Sequence, residues 1–160
     1  MTETPRPAAF ITRPPERVLF LCIHNSARSQ IAEALLAQFG GPLFEAFSAG
    51  TDPRGVNPLT VRVLDEICID WSGARSKPAT ELLGRRFDYV ITVCDRARRT
   101  CPVFPGRHES LHWDLADPAE VEGSEERLDA FRRTRTEIMD RLRPFIETAG
   151  AAERVPTTAN

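Results

Sequence analysis

Apolar positions along the chain fall into two kinds of run. Arg17-Val-Leu-Phe-Leu-Cys22 and Asp88-Tyr-Val-Ile-Thr-Val-Cys94 are short, almost unbroken apolar stretches, the pattern of strands buried on both faces. Leu43 to Ser48, closed by Ala49-Gly50, predicts a further strand, and Glu109 to Trp113 a weaker fourth. Between these runs the apolar residues recur at helical spacing. Ile31, Leu35 and Phe39 mark a helix from about Ser29 to Phe39 that Gly40-Gly41 stops. Asn57-Pro58 supplies an N-cap and a first-turn proline for a second helix carrying Leu59, Val63, Leu64 and Ile67. A shorter helix is expected around Thr80 to Arg86. A long one runs from about Ser124 to Thr148, with Leu128, Phe131, Ile138, Leu142 and Phe145 turned inward.

Strands alternating with helices imply βαβ units, hence an α/β fold: a four-stranded parallel sheet flanked by helices on both faces. In such sheets ligands bind beyond the carboxyl ends of the strands. Cys22 ends one strong strand, Cys94 ends the other, and Asp117 follows the last. The reactive groups therefore converge on one edge of the sheet.

Composition narrows the picture. A chain of 160 residues fits one domain, read as 17–149 between proline-bearing or polar tails at 1–16 and 150–160. A net charge of −2 gives no reason to expect nucleic acid or an anionic membrane as partner. No apolar run approaches the roughly 18 residues of a membrane span. No charged stretch precedes an apolar signal core either, so a cytoplasmic location is expected, with the four cysteines as reduced thiols.

Cys22-Ile23-His24-Asn25-Ser26-Ala27-Arg28-Ser29 sets a cysteine and an arginine on one loop between a strand and a helix. There, successive backbone N–H groups line a concavity backed by the positive end of the helix, a cradle for a tetrahedral oxyanion. Arg28 would fork two of its oxygens, and the same field would favour a thiolate at Cys22. Ser29 is placed to hydrogen-bond that sulfur, and Asn25 suits a positive φ. A second Cys-x5-Arg match, Cys101 to Arg107, contains Pro102 and Pro105, which have no N–H to offer.

Cys94 and Cys101 are seven residues apart. On a continuous helix that spacing advances about 10.5 Å, whereas a disulfide needs Cα atoms within roughly 4.4–6.8 Å. Pairing them requires the intervening segment to open, so a redox switch is expected rather than a static bridge. Arg96, Arg98 and Arg99 would speed exchange. An alternative reading takes Cys94, Cys101, His108 and His112 as zinc ligands, although the cysteine spacing exceeds the usual two to four. Asp117-Pro118 places either a general acid or a plain turn after the fourth strand. Cys68 is expected to be a packing residue, His24 a surface loop residue, and Trp71 and Trp113 core or rim aromatics.

The loop and first helix, Cys22-Ile-His-Asn-Ser-Ala-Arg-Ser-Gln-Ile-Ala-Glu33, resemble the signature of the low-molecular-weight protein tyrosine phosphatases and their arsenate reductase relatives. Ser48-Ala-Gly50, Gly55-Val-Asn-Pro58, Cys94-x6-Cys101-Pro102 and His112-Trp113 through Asp117-Pro118-Ala119 resemble the arsenate reductase branch recycled by thioredoxin. The resemblance implies that Cys22 is the nucleophile, Arg28 the oxyanion clamp and Asp117 the general acid. It also implies that Cys94 attacks Cys22 and Cys101 attacks Cys94. Thioredoxin, or another thiol reductant, then reduces the Cys94–Cys101 disulfide, with no tightly bound cofactor. His24 stands where the family often has glycine, and Ala27 where it often has a second cysteine. Arg75 and Lys77 replace the threonine and aspartate of potassium-binding relatives, so no potassium site is expected. The alternative function is a phosphomonoesterase of the same fold working through a cysteinyl-phosphate. The single tyrosine, Tyr89, and Ala119 after the Asp-Pro favour a small inorganic anion, arsenate or phosphate, over a phosphotyrosine peptide.

Overall fold

The structure is a computed structural model that describes residues 14–154. Four strands, β1 (Glu16–Cys22), β2 (Phe44–Gly50), β3 (Tyr89–Thr92) and β4 (Glu109–His112), form one sheet in the order β2-β1-β3-β4. All three pairings are parallel. The helices are α1 (Arg28–Phe39), α2 (Pro58–Asp65), α3 (Asp95–Thr100) and α4 (Ser124–Arg154).

β1 is central because its sequence can be buried on both sides. Val18, Phe20 and Cys22 join the larger core with Ile31, Leu35, Phe131, Ile138 and Leu142 of α1 and α4. Leu19 and Leu21 join a smaller core with Val90, Phe87 and Phe104. That second face is covered by a 3-10 turn, Ala79–Leu82, instead of the helix expected over Thr80 to Arg86. Gly84 and the exposed Arg85 and Arg86 offer no apolar stripe to continue it. Asn57 caps α2 as expected, its side chain accepting the Leu59 N–H at 2.9 Å.

Two boundaries differ from expectation. β1 begins at Glu16, inside the expected tail, and α4 runs past Thr148 to Arg154. The remainder of the two expected tails, 1–13 and 155–160, lies outside the described residues. Among the described residues no helix is long and apolar enough to cross a membrane. The chain leaves β1 toward β2 on one side, while β3 leads to β4 on the other. The loops after β1 and β3 therefore part at the switch point where open parallel sheets bind ligands.

Candidate active site

The loop from Cys22 to Ala27 turns its carbonyls outward. The neighbouring segment takes them one by one: Thr51 N–H donates to Cys22, Asp52 to Ile23, Arg54 to His24 and Asn57 to Ser26, at 2.7–3.3 Å. Ser76 Oγ, Gln30 Nε2 and Thr60 Oγ1 donate to the carbonyls of His24, Asn25 and Ser26. Ile31 N–H closes on Ala27. With every carbonyl occupied, the loop's N–H groups are left for its concave side. No side chain caps α1, so the first-turn N–H groups point the same way. The close approach of β2 depends on Gly50, where a Cβ would lie 2.5 Å from the Ile23 carbonyl oxygen and 2.8 Å from the Asn25 nitrogen.

Asn25 takes the left-handed conformation, φ 47°. Its hydrogen bonds fix the direction of every donor around Cys22. Lys77 N–H donates to Asn25 Oδ1 at 2.9 Å, so Nδ2 must face Ser29 and Ser48, at 2.8 and 2.9 Å. Ser29 Oγ accepts that N–H, which leaves its own hydrogen for Cys22 Sγ, 2.8 Å away. Asn25 N–H also donates to Cys22 Sγ, at 3.0 Å. Gln30, fully buried, secures the arrangement. Its Oε1 accepts Trp71 Nε1–H, which turns Nε2 onto Asn25 Oδ1 at 2.9 Å.

Burial pushes the Cys22 thiol above its ordinary range, and a charge on nearby Cys94 adds to this. The Ser29 hydroxyl, the Asn25 N–H and the Arg28 guanidinium pull it back. The net direction is upward, opposite to the sequence expectation. The loop supplies thiolate-stabilising donors, but Cys22 is only 3% exposed.

Arg28 donates to the Leu115 carbonyl at 2.9 Å and stands 3.7 Å from Asp117 Oδ2. Asp117 accepts the Ala119 N–H at 3.0 Å, so one carboxylate atom serves the turn while the other faces Arg28. The turn reading of this residue is met by that hydrogen bond. Arg28 and Asp117 line one cleft with Cys94, Arg96, Leu115 and His24. His24 Nδ1 lies 3.1 Å from the Asp52 carbonyl oxygen. It is a loop residue, as expected, on the wall of that cleft.

Register carries β3 beside β1, with Thr92 opposite Leu21, so Cys94 falls just beyond Cys22 on the adjacent strand. Cys94 is buried and caps α3, accepting Ala97 N–H at 3.4 Å. Cys101 forms the other end of α3, half-buried against the smaller core. Burial pushes its thiol upward too. Of the six residues of α3 only Ala97 is buried, so little packing opposes unwinding.

Several further readings are decided here. Cys68 is exposed, not packed: α2 ends at Asp65, and Cys68 sits at φ 64° in the turn beyond. The helical spacing that would have buried it no longer applies. The Cys94, Cys101, His108 and His112 set is not gathered, since among the described residues no three His, Cys, Asp or Glu side chains come together as metal ligands. Lys77 Nζ lies 3.8 Å from Glu33, whereas Arg75 turns outward to grip Glu81 with two hydrogen bonds. Trp71 is a rim residue and Trp113 a core one, its ring centroid 5.8 Å from that of Phe20 and tilted 45° to it. Sequence reasoning did not pick out Gln30, Thr60, Ser76 or the Leu115 carbonyl. A glutamine within an otherwise apolar buried helix face was the only available signal, and for the backbone carbonyl there was none.

The model of the low-molecular-weight phosphotyrosine protein phosphatases matches residues 17–155. The chain belongs to that family. Within it, the chain is 41% identical to an arsenate reductase of Halalkalibacterium halodurans over 132 residues, covering 82% of this chain and 95% of the relative. An arsenate reductase of Bacillus subtilis is 39% identical over the same shares. Among solved structures, a thioredoxin-dependent arsenate reductase of Corynebacterium glutamicum superposes with a TM-score of 0.69 at 35% identity. That match covers 89% of this chain and 65% of the other.

Proposed function

We propose that the chain reduces arsenate to arsenite in the cytoplasm, as part of arsenic detoxification. One observation carries this reading: Cys94 opens into the same cleft as Arg28, and a weakly anchored helix separates it from a third thiol, Cys101. A phosphatase needs only Cys22, Arg28 and an acid. Two further thiols, one of them in the cleft, supply what a two-electron reduction needs.

The loop N–H groups of Ile23 to Ser29 and the Arg28 fork hold the oxyanion, and Cys22 attacks arsenic. One oxygen leaves as water, taking its proton from Asp117. Arsenic is still As(V) at this point. The Cys94 thiolate attacks Cys22 Sγ, and the electron pair of the S–As bond stays with arsenic, releasing arsenite as As(III). The resulting Cys22–Cys94 disulfide is attacked by Cys101, which frees the Cys22 thiolate. Thioredoxin, or another thiol reductant, returns two electrons to the Cys94–Cys101 disulfide.

Cys101 is kept quiet until needed. Its distance along α3, about 10 Å, keeps it from Cys94 while the helix is folded, and burial that raises its pKa lowers its thiolate population. Loss of the Cys94 cap on forming the first disulfide removes the Ala97 hydrogen bond and favours opening. Among the described residues no Phe, Tyr or Trp lines the cleft to clamp a phosphotyrosine: Tyr89, the single tyrosine, lies in β3 with its ring 4.9 Å from that of Phe145.

Mapping disulfides after one arsenate turnover without reductant tests the route. The reading expects a Cys94–Cys101 bridge and one arsenite released per chain. Cys101→Ser should instead trap Cys22–Cys94. p-Nitrophenyl phosphate hydrolysis faster than any arsenate turnover, with all thiols still reduced, would favour the phosphomonoesterase.

A further inference from the structure

The cleft holds one cation that the reaction above does not use. Arg96, the second residue of α3, lines it together with Arg28, Cys94 and Asp117. Its neighbours are engaged. Asp95 pairs with Arg99 at 3.0 Å, and Asp117 faces Arg28 at 3.7 Å. Among the described residues Arg96 itself makes no ion pair. Arg28 already donates to a backbone carbonyl and is partly neutralised by Asp117. Carboxylates of Asp95, Asp114 and Glu120 also line the cleft, so a dianion held by Arg28 alone would face a surface dominated by negative charge. A second guanidinium at this point offsets part of that charge and supplies a second set of N–H donors.

The support beneath Arg96 is the segment that must open for Cys94 and Cys101 to pair. We propose that Arg96 is a redox-gated oxyanion contact, holding the anion while α3 is folded and withdrawing when the Cys94–Cys101 disulfide forms. This rests on the disulfide assigned above. Two electrons and two protons leave the dithiol in that step, and the helix carrying Arg96 unwinds with it. The oxidised protein then grips phosphate and arsenate less tightly than the reduced protein. That avoids a dead-end complex and leaves the opened segment to the reductant. Linkage makes the effect reciprocal: an oxyanion in the cleft favours the dithiol. Each tenfold ratio of affinities corresponds to about 30 mV in the midpoint potential of the pair.

Inorganic phosphate, which cannot be reduced, is the probe. Its Kd is measured calorimetrically for the reduced full-length protein and for protein oxidised by arsenate, in wild type and in Arg96→Gln. The wild type should bind phosphate about five- to tenfold more tightly when reduced. Arg96→Gln should weaken the reduced form to near the oxidised value, bringing the ratio close to one, and Arg96→Lys should restore part of it. Arg98→Gln removes the same charge from the same helix outside the cleft and should leave the ratio intact. A wild-type ratio of one overturns the proposal, as does an unchanged ratio in Arg96→Gln or an equal loss in Arg98→Gln. If arsenate produced no Cys94–Cys101 bridge, the relay and this inference would both fall. If the bridge formed and the ratio ignored Arg96, only this inference would.

Discussion

Ser29→Ala isolates the groups that make Cys22 usable. Asn25 Nδ2 donates to Ser29 Oγ at 2.8 Å, so the Ser29 hydrogen is committed to Cys22 Sγ, also 2.8 Å away. Removing that hydroxyl takes away the largest influence that lowers the Cys22 pKa and leaves burial less opposed. A hydrogen bond to a charged partner contributes about 1.5–3 kcal/mol. The thiol should be pushed further up, and at about 1.36 kcal/mol per factor of ten the thiolate population falls roughly 10- to 100-fold. Because the thiolate is the reactive form, alkylation at pH 7 should slow about 10- to 100-fold and recover at high pH. The assay is the pH profile of iodoacetamide modification at Cys22, followed by mass mapping so that Cys68, Cys94 and Cys101 are scored separately. The variant also leaves one buried Asn25 N–H without a partner, at a cost of about 1–3 kcal/mol of stability. The profile is therefore compared only under conditions where thermal unfolding shows the variant folded. A folded variant whose alkylation midpoint moves by less than about 0.3 units would refute the donor assignment, since that shift is below about 0.4 kcal/mol.

Other expectations follow from the same geometry. Gly50→Ala should press a methyl group onto the Ile23 carbonyl and the Asn25 nitrogen, costing about 1–3 kcal/mol of stability. Phosphate affinity, measured by calorimetry, should fall at least tenfold, and unchanged affinity would contradict the account of the loop. Cys101→Ser should stop turnover coupled to thioredoxin while hydrolysis of p-nitrophenyl phosphate stays near wild type. The two rates, measured side by side, separate the relay from the anion cradle. Away from the site, Arg132 and then Arg135 hold the Glu66 carboxyl down at about 2, tying α2 to α4. A depressed acid pKa stabilises the fold above the ordinary carboxylate range and ceases to do so as pH falls through the folded value. Glu66→Gln should therefore cost about 1 kcal/mol at pH 7, discounted for partial exposure. In denaturant titrations the gap to wild type should close between pH 4.5 and 2. A gap that stays constant with pH would contradict it.

The parts of this fold that were legible in the sequence are those set by local rules. β1 and β3 could be read because a strand buried on both faces must be apolar at successive positions. The α2 start followed from the Asn-Pro pair. The placing of Cys22, Asn25, Arg28 and Ser29 on one turn between β1 and α1 was visible because strand, loop and helix are contiguous. What escaped was nonlocal. The Gln30–Trp71 bond links residues 41 apart, and the Leu115 carbonyl reaches Arg28 across 87 positions. Neither contact has a periodicity to betray it. Cys68 was misplaced because its helix stops three residues earlier, where helical spacing ceases to decide burial. The direction of the Cys22 pKa was misjudged for a related reason. The motif reveals the donors around the sulfur, while the depth of burial depends on how α1, β2 and β3 close over it.

The most direct measurement is NADPH oxidation in the presence of arsenate, thioredoxin and thioredoxin reductase, with wild type and Cys22→Ser in parallel. The account predicts steady oxidation that depends on arsenate, stops at one NADPH per arsenate supplied, and vanishes in Cys22→Ser. Oxidation that persists in Cys22→Ser, or none in the wild type even after small thiols replace thioredoxin, would contradict it.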